Sequence, residues 1–177
     1  MHGMQHNFRA IVAAKVIRFF GLMSIVSVAF TLAACQTAAK ETGFSQAQIA
    51  VLQSEGFVQT DEGWTLGLSA KLLFPTDDAE LSSQSREVVK KLASSLKSVG
   101  LTHLRVLGFT DSVGSDAYND LLSQKRADSV TNEMVASGIP REGVVAQGMG
   151  KRHPIADNSS AQGRAQNRRV SVVVQSE

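Results

Sequence analysis

The chain has 177 residues, enough for one compact domain with a modest core and an appendage. Its formal net charge of +2 misleads, because the first 34 residues hold three basic side chains and no acidic one, which leaves 15 basic against 16 acidic side chains in the remainder. That balance, with no basic stripe interleaved with aromatic residues, argues against nucleic acid as a partner.

The N-terminus has the pattern of a targeting segment. Basic residues ending at Lys15 and Arg18 precede an apolar run at 19–34. This run is short for a membrane-spanning helix and is rich in alanine and serine. The sequence therefore predicts a signal peptide over residues 1–34.

Cys35, the only cysteine, directly follows this run. The letters LAAC at 32–35 resemble a bacterial lipobox, which implies cleavage before Cys35 and fatty acyl chains attached to it. The alternative is a buried structural cysteine beside a retained membrane helix. By resemblance to lipoprotein sorting, Gln36 at the next position implies the periplasmic face of the outer membrane, and the acyl chains would serve as the anchor.

Residues 35–62 are predicted to form a lipidated tether followed by a short helical arm. The run 36–43 is small and polar, as in linkers. Ser45 and Gln48 have the spacing of a capping box, and the helix that they begin is predicted to stop at Gly56. Two interpretations stay open: the helix docks on the main domain, or it is a movable arm that presents a surface to a partner.

From residue 63 onward the pattern alternates between strands and helices. Strands are predicted where apolar residues alternate or form short β-branched runs, at 64–74, 104–107, 144–146 and 169–174. Helices are predicted where the period is three to four, from Ser82 or Ser83 to 99, at 118–137 and, more briefly, at 161–168. The sum is a two-layer β-α-β-α-β-(α)-β domain of the α/β class, with helices packed on a mixed sheet.

Asp111 follows the predicted strand 104–107 at its carboxyl end, and Arg126 lies in the helix that comes next. Open α/β sheets place ligands in the crevice at this end of their strands. A carboxylate and a guanidinium that face each other there suit a zwitterion. Taken singly, each residue fits a turn cap or a surface ion pair instead.

Enzymatic chemistry finds no support in the sequence. Ser94 and Lys97 have the S-x-x-K spacing of penicillin-recognising enzymes, but they lie inside an amphipathic helix without the partner motifs. His103 and His153 form no metal-binding or nucleophile-activating motif, and no cofactor loop is present. We therefore expect a binding protein without a metal or cofactor.

Two long motifs carry a family resemblance. The pattern T-D-x-x-G-x-x-x-Y-N-x-x-L-S-x-x-R-A at 110–127 and the block GMG…PIADN…GRAQNRRV at 148–170 resemble the peptidoglycan-binding signature of OmpA-like domains. The resemblance covers residue 72 to the C-terminus and implies an OmpA-like domain over 63–177. It departs at Phe109, where the family often has histidine, and we expect Phe109 to pack rather than bind.

The resemblance implies a ligand and its contacts. In that family the motif aspartate takes the ammonium of diaminopimelate and the motif arginine takes its carboxylate, and by position these roles fall on Asp111 and Arg126. Arg168 and Arg169 are predicted to lie at a solvated sheet edge, with a lesser alternative in the cleft wall. Further contacts are expected from Asp77, Thr110, Gly114 and Asn119.

Residues 42–74 resemble the YfiB family of lipoproteins, which implies a signalling role. Its members sequester a soluble periplasmic repressor (YfiR-like), which activates an inner-membrane diguanylate cyclase and thereby c-di-GMP signalling and biofilm formation. The implied repressor surface is Ile49, Leu52 and Phe57, exposed when the arm leaves the domain. The alternative is a Pal-type tether between outer membrane and cell wall. The sequence leaves open whether the chain acts as a monomer or a homodimer.

Overall fold

The structure, a computed structural model, describes residues 43–75 and 78–176. Its α-helices are α1 (Gln46–Ser54), α2 (Ala70–Leu73), α3 (Ser83–Ser98), α4 (Asp116–Ala136) and α5 (Ala161–Asn167), with a 3-10 turn at Arg141–Gly143. Its strands are β1 (Val58–Thr60), β2 (Gly63–Ser69), β3 (Leu104–Phe109), β4 (Val144–Gly148) and β5 (Arg169–Val174). The predicted signal peptide, Cys35 and Asp77 lie outside the described residues.

The strands form one mixed sheet in the order β1-β2-β5-β3-β4. Strand β5 lies at its centre and pairs antiparallel with both β2 and β3, while β4 pairs parallel with β3. The predicted α/β class, the mixed sheet and the order β-α-β-α-β-(α)-β are confirmed. The central place of β5 contradicts the expectation that Arg168 and Arg169 begin an edge strand, because β5 has a neighbour on each side.

The main core lies between one face of the sheet and helices α3 and α4. Alternate residues of β3 and β5 point to that face, as the two-residue period of a strand requires. They meet the apolar stripes of the two helices in a cluster that includes Leu104, Val106, Val170, Val172, Val174, Val89, Leu92, Leu96, Val130 and Met134. The opposite face carries a smaller cluster of Leu107, Phe109 and Val173, against which Met149 packs.

Serine caps begin the helices, as the sequence predicts for α1 and α3. The Ser45 hydroxyl accepts from the backbone N–H of Gln48 while the Gln48 side chain accepts from the N–H of Ser45, so the predicted capping box is confirmed. Helix α3 is capped by Ser82, whose hydroxyl accepts from Ser85 N. In α4 the cap is Ser115, just after the loop that carries Asp111.

Helix α1 docks on the domain. Leu52 is fully buried and Phe57 is 4% exposed, and both belong to the main core, with Phe44 and Ile49 packed against it. The Gln48 amide also donates to the carbonyl of Val99 at the end of α3. The boundary predicted between residues 62 and 63 is therefore not a break in the packing.

One local prediction was wrong, and one strand was not predicted. Residues 72–74 were expected to continue the first strand, but α2 forms at Ala70–Leu73, because the Ala70 N–H donates to the carbonyl of Arg168 and Phe74 N donates to Ala70. Strand β1 was not predicted, because its three residues are all exposed and carry no apolar alternation. It pairs with β2 through a tight turn that Gly63 closes at φ +117°.

Within the described residues, none of the helices combines the length and the apolar character needed to cross a membrane.

Candidate ligand-binding cleft

Three segments of the chain converge at one end of the sheet. The strand register pairs Ser69, the last residue of β2, with Arg169, the first residue of β5, and pairs Arg169 in turn with Phe109, the last residue of β3. Because β5 runs opposite to its neighbours, its start lies beside the ends of β2 and β3. The loops after β2 and β3 and the residue before β5 therefore share one edge, where open α/β sheets bind ligands.

A cleft of about 760 Å³ opens at this edge. Its residues come from α2 and the turn that follows it, from the loop after β3, from α4, and from α5 with the residue after it. They are Ala70, Lys71, Phe74, Pro75, Thr110, Asp111, Val113, Tyr118, Asn119, Leu122, Arg126, Arg164 and Arg168. The cleft thus combines apolar walls with a few charged groups, the usual make-up of a small-ligand site.

Asp111 is 8% exposed and forms an ion pair with Arg168. Arg168 Nη1 lies 2.6 Å from Oδ2 of the carboxylate, and the backbone N–H of Val113 donates to Oδ1 at 3.0 Å. The Asp111 side chain is thereby fixed at the carboxyl end of β3 with one cation already beside it. Asp111 was predicted to face Arg126 across a crevice. Both residues line the cleft, but the ion pair that holds Asp111 comes from Arg168.

Arg126 is 5% exposed, on the side of α4 that faces the cleft. Its Nε donates to the carbonyl of Asp78 at 3.0 Å, and its guanidinium carbon lies 5.2 Å from the centroid of the Phe74 ring. Asp78 in turn accepts hydrogen bonds from the N–H groups of Glu80 and Ala79, which hold the pKa of this carboxyl below its ordinary value. The turn after α2 therefore positions the arginine.

The remaining sequence-predicted contacts lie in the same loop and in the first turns of α4. Asn119 is 2% exposed and donates from Nδ2 to the carbonyl of Val113, so it fixes the loop backbone. Thr110 is buried, and its N–H donates to the carbonyl of Gly150. Gly114 adopts φ +90°, which few other residues tolerate. The structure brings Asp111, Arg126, Thr110 and Asn119 together along the cleft, with Gly114 in its loop.

Helix α4 lies unusually close to the sheet where it carries these residues. A Cβ on Gly108 would overlap the backbone carbonyl of Ser123, and one on Gly148 would lie 2.6 Å from the backbone nitrogen of Gln124. The Gln124 side chain accepts from the N–H of Gly148, and the Ser123 hydroxyl accepts from the N–H of Gly150. The two glycines thus let the strands approach the helix and set its distance from Asp111.

Phe109 packs in the smaller cluster on the opposite face of the sheet and does not line the cleft. Its side chain is 5% exposed, and the guanidinium carbon of Arg169 stacks 3.7 Å from its ring centroid. Burial lowers the pKa of Arg169 from its ordinary value. The expectation that this position packs is confirmed, and the aromatic ring explains how a half-buried arginine is accommodated at the start of β5.

Part of the cleft was not predicted from the sequence. Lys71, Phe74 and Arg164 were not singled out, and Arg168 was assigned mainly to a sheet edge. The signal lay in the topology: only the central position of β5 brings residues 164–168 beside Asp111. In the described residues, no three His, Cys, Asp or Glu side chains come close enough to hold a metal ion.

With this geometry in hand, comparison with known proteins gives the class. A family model described as the OmpA family matches residues 73–168, which include every described cleft residue after Lys71. The chain therefore belongs to the OmpA family. The peptidoglycan-associated lipoprotein of Burkholderia pseudomallei has a similar structure, with a TM-score of 0.54 and 30% identity over 62% of this chain and 89% of that one.

Its similarity to individual proteins extends beyond the shared domain. The outer-membrane lipoprotein YfiB of Pseudomonas aeruginosa is 40% identical over 88% of this chain and 92% of its own length. A YfiB sequence from Escherichia coli is 43% identical over 85% of this chain and 93% of its own length. Because these alignments extend well outside residues 73–168, the similarity includes part of the segment that precedes the OmpA-family match.

Proposed function

We propose that the cleft binds peptidoglycan through the distal centre of diaminopimelate in the stem peptide. The observation that carries the proposal is the placement of Asp111 and Arg126: two nearly buried groups of opposite charge line one open cleft. Asp111 receives the ligand ammonium, and Arg126 receives the carboxylate. An arginine fork donates two parallel charge-assisted hydrogen bonds to a carboxylate, which favours this ligand over a neutral one.

The neighbouring residues shape the site around that pair. Asn119 and Thr110 hold the loop backbone, and Gly114 lets the ligand approach the chain without meeting a side chain. Asp77, which lies outside the described residues, is proposed from the sequence as a further contact. The name of the Burkholderia relative, a peptidoglycan-associated lipoprotein, supports the same ligand class.

The proposal includes a membrane anchor. The Pseudomonas relative is named an outer-membrane lipoprotein, which supports a lipid-anchored location at that membrane for this chain. Lipid on Cys35 is proposed from the lipobox resemblance of residues 32–35, and an orientation toward the periplasm is proposed from Gln36 at the next position. The protein would then join membrane and wall, and it would do so as a binding protein rather than an enzyme.

The direct test is retention on purified sacculi, with affinity for a diaminopimelate-containing tripeptide measured by calorimetry. Asp111→Asn and Arg126→Gln should each weaken binding by about 2–5 kcal/mol, because each leaves a desolvated charge without its partner. Arg86→Gln is the control, since Arg86 pairs with Glu133 on the exposed side of α3. Unchanged binding by both cleft variants would remove this pair from the site.

A second proposal concerns signalling, a role that a simple tether between membrane and wall would not have. We propose that the chain acts as YfiB-type lipoproteins do and sequesters a soluble periplasmic repressor, which activates an inner-membrane diguanylate cyclase. The support is the length of the YfiB alignments, which include much more than the OmpA-family match. Ile49, Leu52 and Phe57 would form the repressor surface, and since two of them lie in the core, capture requires α1 to undock.

The signalling proposal is tested by using the full-length protein to capture the repressor from a periplasmic extract. Leu52→Asp should change the amount of repressor that is captured. Ala50→Asp, on the exposed face of α1, should leave that amount unchanged. If both variants behave as the parent does, or no repressor is recovered, the Pal-type tether is the better description. The wall-binding test above is independent of this outcome.

A further inference from the structure

We propose that Lys71 and Arg164 form a second carboxylate-binding subsite at the same cleft. The inference rests on the proposed function and deepens it. Asp111 and Arg126 account for one ammonium and one carboxylate, but the described lining contains four basic side chains and a single acidic one. The ligand that fits this excess carries more carboxylates than ammonium groups.

Backbone hydrogen bonds bring the two residues to one wall of the cleft. The N–H of Ala70 donates to the carbonyl of Arg168 at 2.9 Å, which ties the first residue of α2 to the start of β5. The N–H of Arg168 donates to the carbonyl of Arg164 at 3.1 Å, so these two arginines lie one turn apart on the same side of α5. Lys71, Arg164 and Arg168 therefore stand together, and Arg126 reaches the cleft from α4.

Lys71 and Arg164 differ from the other two cations in their partners. Arg168 is neutralised by Asp111, and Arg126 is bonded to the turn after α2. Across residues 43–75 and 78–176, the side chain of Lys71 makes no hydrogen bond or ion pair, and the side chain of Arg164 donates only from Nη1, to the carbonyls of Asn158 and Ser159. Among the described residues, these two positive charges of the cleft have no carboxylate partner.

Arg164 is also held in place. Its two bonds, 2.9 Å to Asn158 O and 3.0 Å to Ser159 O, fix one side of the guanidinium and leave Nε and Nη2 available to a ligand. A pre-oriented arginine fork loses less side-chain entropy on binding a carboxylate than a mobile one does. Lys71, exposed on α2, adds a point charge to the lining of the same cleft.

The chemistry selects a particular group of the stem peptide. In a stem peptide that continues to D-alanine, the second carboxyl of diaminopimelate is consumed in a peptide bond. When the distal carboxylate of diaminopimelate is on Arg126, the next free carboxylate then belongs to the γ-linked D-glutamate that precedes it. This α-carboxylate is the group assigned to Lys71 and Arg164. The subsite therefore makes the cleft sensitive to amidation, because the D-isoglutamine form of the peptide lacks that charge.

The experiment compares two synthetic tetrapeptides by calorimetry on the full-length protein in detergent. One is L-Ala-γ-D-Glu-diaminopimelate-D-Ala, and the other carries an amide at the α-carboxyl of the glutamate. The parent should bind the acid about tenfold more tightly than the amide, the effect of losing one charge-assisted contact. Lys71→Gln and Arg164→Gln should each reduce that preference while leaving affinity for the amide unchanged.

The control variants distinguish a failure of the proposed subsite from a failure of the proposed function. Lys91→Gln removes a positive charge from the exposed surface of α3 and should preserve the preference, and Lys71→Gln touches no described contact, so it folds even if Arg164→Gln does not. Equal affinity of the parent for both peptides overturns the subsite and leaves the proposed function standing. Equal weakening of both peptides by Lys71→Gln also overturns it. Failure of the parent to bind either peptide overturns the proposed function itself.

Discussion

The guanidinium of Arg168 lies 2.6 Å from the carboxylate of Asp111, and this ion pair joins two loops that are 57 residues apart in the chain. It closes the edge of the sheet between the end of β3 and the start of β5. Because the Asp111 side chain is 11% exposed, its charge is removed from most of the water that would otherwise stabilise it. The arginine therefore keeps the cleft in a binding-ready form before a ligand enters.

Removing that arginine should destabilise the fold. Arg168→Met leaves one oxygen of a nearly buried carboxylate without its partner, at a cost of about 1–3 kcal/mol in the free energy of unfolding. Arg152→Met is the matched control, since Arg152 pairs with Asp120 where both side chains are about half exposed; its loss should cost about 0–1 kcal/mol. Urea denaturation of the two variants measures the difference, and equal costs would contradict a structural role for the Arg168 pair.

The distance between α4 and the sheet should be sensitive to one methyl group. Gly108→Ala would place a Cβ against the Ser123 carbonyl, and relieving the overlap must push α4 away from β3. We expect a loss of about 1–3 kcal/mol in stability, as for other overpacked sites, together with weaker ligand binding, because Arg126 moves with the helix. Gly67→Ala in β2 is the control, since its Cβ meets no atom within 4 Å.

How far the sequence predicts this site depends on whether the signal is local. Asp111 and Arg126 are separated by one loop and the first turns of a helix, so the strand-loop-helix pattern alone places them at one edge. Lys71 and Arg164 become neighbours only because β5 is inserted between β2 and β3. Strand order is a property of the whole chain, and no period within residues 161–174 encodes it.

The observed fold differs from the predicted one at β1 and α2, and the pattern of residues near each element explains why. Strand β1 is three residues long and exposed, so no apolar alternation marks it. The residues of α2 have the same apolar letters as a strand, and what makes them helical is a hydrogen bond from Ala70 to the carbonyl of Arg168, which is far away in the sequence. Phe109, by contrast, was assigned correctly, because an apolar ring at the end of a buried strand is most stable when it is buried.

Acid should loosen the turn that positions Arg126. Hydrogen bonds from the N–H groups of Glu80 and Ala79 lower the pKa of Asp78 below 3.8, so this carboxyl contributes stability at higher pH that is lost as pH falls through its folded pKa. Asp78→Ala should therefore be less stable than the parent at neutral pH, and the gap should narrow as the pH is taken below 3.8. Urea midpoints across this range measure it, and a gap that stays constant would contradict the assignment.

The last prediction concerns the docking of α1. Leu52 is fully buried in the cluster that also contains Phe57 and the α3 stripe, so Leu52→Ala should cost about 2–5 kcal/mol through lost burial and the cavity left behind. Gln53→Ala, on the exposed side of the same helix, should change stability little. Urea denaturation measures both variants.

Hydrogen exchange then distinguishes two consequences of that loss. If α1 opens independently, Leu52→Ala speeds exchange in residues 46–54 and leaves the central strands unchanged; if α1 is integral to the core, protection falls in β3 and β5 as well. Because Leu52 shares its cluster with residues of β3 and β5, the structure favours the second result. The free energy of binding the repressor would then have to offset the cost of undocking α1. Faster exchange confined to residues 46–54 would instead mean that α1 undocks at little cost to the rest of the domain.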